Sequence, residues 1–135
     1  MDKINVFINT FPRNKLIITK QKDLVQFIDL GYSLSQKLKI TNVEKSYLRI
    51  SQVLEELIKE EMNSSNYGDL IAFKNIGVLF EPELKINIEE FIKNYSQNYT
   101  MIFLWEGHIE NKQLYFLDKT SKYKIDLNNI SHIVI

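Results

Sequence analysis

YTMIFLW, residues 99–105, is the most strand-like run in the chain, and its reading decides the fold. Seven consecutive apolar, aromatic or β-branched positions leave no polar face, which is the pattern of a strand covered on both sides and placed at the centre of a sheet. A strand buried on both faces requires layers above and below it. Working upstream, Asn87 and Glu90 have the spacing of a helix start, and Ile88, Phe91, Ile92 and Tyr95 follow on one face. DLIAF, residues 69–73, is a second buried strand. A longer helix precedes it: Ile50, Val53, Leu54, Leu57, Ile58 and Met62 share a face, while Glu55, Glu56, Lys59 and Glu60 form the wet side. NSSNYG, residues 63–68, breaks that helix.

Nearer the amino end, Ser33 with Gln36 and Thr41 with Glu44 both fit the capping-box spacing. KLIIT (15–19) and LVQFIDL (24–30) are expected as two strands separated by four polar residues, Lys20, Gln21, Lys22 and Asp23. So short a link strains a parallel arrangement, because a crossover usually needs about a dozen residues. Either the two strands pair antiparallel or the first lies apart. Ile4, Phe7, Ile8 and Phe11 predict a short amphipathic helix ended by Pro12. Beyond Gly107, residues 108–110, 113–117, 123–127 and 130–135 read as short strands in hairpins. The expected architecture is an α/β domain over residues 1–135, with a mixed, mostly parallel sheet flanked by helices and a C-terminal antiparallel hairpin edge.

Composition narrows the function classes. The chain has 135 residues, 44% of them hydrophobic, which suits one folded core better than disorder. Seventeen basic residues balance seventeen acidic ones, so no global field draws the molecule to nucleic acid or an anionic membrane. Absence of cysteine excludes disulfides and thiolate metal sites and fits a cytoplasmic setting. The opening residues lack the continuous apolar run of a secretion signal, and the apolar runs are far shorter than a membrane span.

Chemistry-bearing motifs are sparse. Gly31, Gly68, Gly77 and Gly107 are too scattered to form a phosphate nest, and His108 and His132 have no partners at ligand spacing. Neither a nucleophile elbow nor a zinc helix motif occurs. No catalytic residue, cofactor or metal is expected. Arg13, Lys15, Lys20 and Lys22 form the one basic stretch able to touch a phosphate backbone. The competing and weightier reading is lysine guarding the ends of an exposed edge strand. Trp105, Tyr115, Phe116 and Tyr123 bunch aromatic residues in the last third, a type enriched at protein interfaces but equally a core type.

The string from residue 69 onward resembles the C-terminal half of BrxF, the small P-loop component of type 3 BREX phage-defence systems. LFEPELK (79–85) is similar to a pattern after that family's Walker B-like strand, Trp105-Glu106-Gly107 stands where the family has W-P-G, and Leu114-Tyr115-Phe116 matches the following hairpin. Upstream, KDLVQFIDLGYSLSQKL (22–38) and RISQVLEELI (49–58) are similar to its second strand and next helix. Two elements depart. Where the family places its glycine-rich loop, lysine and helix, this chain passes from residue 19 through Lys20-Gln21-Lys22-Asp23 to the next apolar run. Where the Walker B acids would hold magnesium, it has Lys74 and Gly77.

The resemblance therefore implies a P-loop-like fold stripped of ATP hydrolysis. It points to a scaffold or adaptor acting through other protein subunits, as a phage-defence accessory or a phage factor mimicking one. Phe80 joins Trp105, Tyr115 and Tyr123 as the candidate protein interface. Self-association is compatible with this composition. The alternatives are a nucleic-acid module using Arg13, Lys15, Lys20 and Lys22, and an enzyme whose constellation only folding reveals.

Overall fold

The computed structural model describes residues 2–40, 46–116 and 123–135. In chain order the elements are α1 (Lys3–Ile8), β1 (Leu16–Thr19), β2 (Ile28–Asp29), α2 (Leu30–Ile40), α3 (Ser46–Glu61), β3 (Asn63–Ser65) and β4 (Gly68–Lys74). Two 3-10 turns, Ile76–Phe80 and Pro82–Leu84, lead to α4 (Ile88–Asn98) and β5 (Thr100–Leu104). β6 (His108–Glu110), β7 (Gln113–Tyr115), β8 (Lys124–Asp126) and β9 (His132–Val134) complete the chain.

The main sheet has the order β2-β4-β5-β1-β9, parallel at every pair, with β3 hairpinned antiparallel onto β4. YTMIFLW supplies β5, the middle strand of that order, and all five residues of β5 are buried. The mostly parallel α/β architecture read from the sequence is the one observed. The antiparallel C-terminal element is a separate three-stranded sheet, β6-β7-β8, and the last strand returns to lie parallel beside β1.

Alternation along the strands divides the core. Leu16, Ile18, Ile71, Phe73, Met101 and Phe103 face α2, α3, α4 and the small sheet. Ile17, Leu70, Ala72 and Ile102 face the other way, toward Ile4 of α1 and the partly buried Leu24, Val25 and Phe27. α3 buries Ile50, Val53, Leu54, Leu57 and Ile58, and its wet side carries the Glu55–Lys59 pair at 3.1 Å. α4 begins at Asn87, whose side chain accepts the Glu90 N–H at 3.1 Å, and buries Ile88, Phe91 and Ile92. At the amino end of β1, the buried Asn14 donates to the Lys93 carbonyl at 2.9 Å and to Ser96 Oγ at 3.0 Å, tying the strand to α4.

Several expectations are corrected. Only Ile28 and Asp29 of the 24–30 run form a strand. The first strand lies apart from it, with β5 and β4 between. Residues 20–27 cross three strand spacings, about 14 Å, well within the roughly 27 Å that eight extended residues can reach. The crossover therefore needs no helix. β1 has a neighbour on each side, so Arg13, Lys15, Lys20 and Lys22 guard no sheet edge. Ser33 lies inside α2, and Asp29 caps that helix instead. Thr41 and Glu44 lie outside the described residues. α1 ends at Ile8, and Phe11 sits beyond it at φ 54°, 91% exposed. NSSNYG ends the helix as expected and forms a hairpin, closed at Gly68 with φ 86°, a conformation that favours glycine.

Candidate functional site: the cleft at the carboxyl ends of the sheet

In open parallel sheets, ligands settle outside the carboxyl ends of the strands where successive connections diverge. Here β1 connects leftward to β2, whereas β5 connects rightward past β1 to β9. A cleft of about 690 Å³ opens beside that point, at the ends of β2, β4 and β5. Asp29, Lys74, Asn75, Trp105, Glu106 and Phe116 are among its walls.

Its left wall is a knot of local bonds. Asp29 is the register partner of Lys74, and its Oδ1 accepts the Tyr32 N–H at 2.9 Å and Asn75 Nδ2 at 2.9 Å. The Tyr32 amide, then Asn75 and the charge of Lys74, hold the Asp29 carboxyl below the ordinary range. Asn75 adopts the left-handed conformation, φ 54°, and its carbonyl accepts the Gly31 N–H at 3.2 Å. A Cβ on Gly31 would lie 2.7 Å from Asn75 Nδ2, so a larger residue there would displace the Asn75 side chain from Asp29.

The right wall is built on Lys20, the first residue past β1. Its ammonium donates to the carbonyl of Trp105 at 3.4 Å and to that of Gly107, drawing the loop after β5 onto the end of β1. The Gln21 N–H is taken by Thr19 Oγ1 at 2.9 Å and the Leu24 N–H by the Gln21 carbonyl at 3.2 Å. These amides are spent within the chain, and among the described residues the cleft lining includes no serine, threonine or histidine. Among the described residues no group of three or more His, Asp or Glu side chains is placed to hold a metal ion. The charged walls, Asp29, Lys74 and Glu106, can orient a polar ligand, but a helix cap already engages the Asp29 carboxylate.

The candidate residues are distributed as follows. Trp105 is 3% exposed and donates Nε1–H to the His108 carbonyl at 3.3 Å; of the two readings open for it, it is a core residue. Phe80 stacks with Phe116 at 5.5 Å and with Tyr123 at 5.6 Å, and Tyr123 is 38% exposed. Tyr115 projects to the other side of the small sheet, beside His108 at 5.8 Å and under Lys124. Arg13 and Lys15 lie at the amino end of β1 and Lys20 and Lys22 past its carboxyl end, with about 13 Å of strand between. They form no single patch. Asp29, Asn75 and Glu106 are site residues that the sequence reading did not select. An Asp immediately before the helix, with its side chain in reach of the amide three residues on, is the signal that would have marked Asp29 as a cap.

No protein-family model, no curated protein and no solved structure matches the chain.

Proposed function

We propose that the chain is a non-catalytic, P-loop-like scaffold that works through protein contacts, as an accessory of a bacterial BREX-like phage-defence system or as a phage factor mimicking such a component. The observation that carries this reading is the end of β1. A phosphate-binding loop holds its ligand with successive free amides and a lysine aimed at the phosphates. After β1 the amides of Gln21 and Leu24 are bonded internally and the Lys20 ammonium is bound to main-chain carbonyls. The family's loop and helix are replaced by residues 20–27 lying flat on the sheet, where Leu24, Val25 and Phe27 contribute packing. The retained hydrophobic framework, together with the missing phosphate cradle, favours a protein-binding role. The nucleic-acid alternative is weakened by the division of its four basic residues between the two ends of β1.

Calorimetric titration of the purified chain with magnesium-ATP tests the proposal, with phosphate release measured in parallel. The expected result is neither saturable binding in the micromolar range nor turnover. Micromolar binding that disappears in Lys20→Met would overturn it.

A further inference from the structure

We infer that the open edge of β9 is a docking site for an extended segment of a partner protein bearing apolar and acidic side chains. This rests on the scaffold reading and specifies which surface the partner uses.

β9 ends the main sheet, with β1 as its one neighbour among the described residues. The Ile135 N–H donates to the Ile18 carbonyl at 2.9 Å, and the register pairs Ile133 with Ile17. Main-chain groups alternate sides along a strand, so those of His132 and Val134 point away from β1, toward the open edge. Unpaired groups of this kind are a template for an added strand.

Two hollows run along this edge and share Phe7. One, of about 520 Å³, is walled by Lys3, Val6, Phe7 and residues 133–135, an almost wholly apolar surface. The other, of about 470 Å³, includes Arg13, Lys112 and His132. Val6 is 46% exposed and Val134 49%, which places two of the chain's large exposed aliphatic side chains on one edge. Lys3, Arg13 and Lys112 line the hollows, and among the described residues no Asp or Glu side chain does. In a chain whose charges balance seventeen to seventeen, this is a local excess of one sign beside a strand template. Charge complementarity therefore selects an acidic partner. A second copy is disfavoured, because two-fold pairing of β9 with itself sets one cationic rim against another.

The test uses the full chain and a fluorescein-labelled octapeptide alternating valine and glutamate. Its controls are a valine–lysine octapeptide and a labelled oligothymidylate. Fluorescence polarisation should show saturable binding of the acidic peptide alone, weakening as salt rises, with slowed hydrogen exchange at the His132 and Val134 amides. Val134→Pro removes an outward N–H without removing a bond to β1, and proline is tolerated on sheet edges. It should weaken binding about fivefold or more, from the loss of one main-chain bond plus the local change of shape. Lys3→Glu, which leaves the strand intact, should weaken it as well and guards against a Val134→Pro variant that fails to fold.

Equal binding of the lysine peptide, tighter binding of the oligonucleotide, or no effect of either variant would overturn the assignment. So would a dimer in sedimentation that Val134→Pro dissociates, since that would give the edge to a second copy. Absence of peptide binding together with absence of ATP binding removes this edge assignment alone, whereas ATP binding at micromolar concentration removes the scaffold reading itself.

Discussion

The two faces of the main sheet are dressed unequally. One carries α2, α3, α4 and the three-stranded β6-β7-β8 sheet, whose Leu114 and Ile125 are fully buried in the same core as Phe73 and Phe103. The other carries the six-residue α1 and the flat link of residues 20–27. Connections running in opposite directions along a sheet lie on opposite faces when their crossovers are right-handed, so the light face is the one a helix between β1 and β2 would cover. The link of residues 20–27 gives that face Leu24, Val25 and Phe27 without a helix, so its cover is thinner than that of the helical face.

The sharpest way to break this comparison is a matched pair of substitutions. Ile58 in α3 and Ile4 in α1 are each 1% exposed. Ile58→Ala should cost about 4 kcal/mol, near the upper part of the range for such truncations, because three helices hold the cavity open. Ile4→Ala should cost about 2 kcal/mol, because a short helix can settle into the space. Urea unfolding measures both, and a reversed order would contradict the difference between the faces.

The heavy face was largely legible in the sequence and the light face was not. YTMIFLW could only be a strand covered on both sides, and the three-four spacing of α3 and α4 marked their buried stripes directly. LVQFIDL misled because a short apolar run packs equally well as a strand or as a link lying on a sheet, and periodicity does not separate them. Phe11 extended a helical spacing past the point where the backbone turns left-handed. β9 read as a hairpin partner because its true neighbour, β1, is more than a hundred residues away. In the cleft, Trp105 was selected and Asp29 passed over for one reason: exposure and capping depend on which strands end together, and that is set by topology.

A second effect joins the two faces. Asn14→Ala would strip hydrogen-bond partners from the Lys93 carbonyl and Ser96 Oγ in a buried setting, at a cost of about 2 kcal/mol. Differential unfolding should show α4 and β1 loosening together, whereas a neutral result would mean that packing alone sets the seat of α4. A smaller change is expected at the cleft. Lys20→Met should cost about 1 kcal/mol and speed hydrogen exchange at Gly107 and His108, whose loop the ammonium holds. Unchanged exchange there would show that the loop needs no such tie.

The smallest effect concerns pH and belongs to the light face. Asp2 caps α1, and its carboxyl is held below the ordinary range by the Tyr67 hydroxyl first, with the Ile4 and Asn5 amides adding to it. A carboxyl lowered in the folded state contributes stability that is present above its unfolded value and lost as pH falls through the folded one. Below pH about 4, α1 should therefore loosen before α4 does, seen as earlier loss of amide protection. Asp2→Asn, which keeps the capping oxygen but no charge, should flatten that dependence.

Residue-resolved hydrogen exchange on the full chain at neutral pH tests the unequal faces most directly. The account predicts that amides in α1 exchange through an opening well below the free energy of global unfolding, while those of α3, α4 and β5 exchange only when the whole sheet opens. Protection of α1 at the same level as α4 would contradict it.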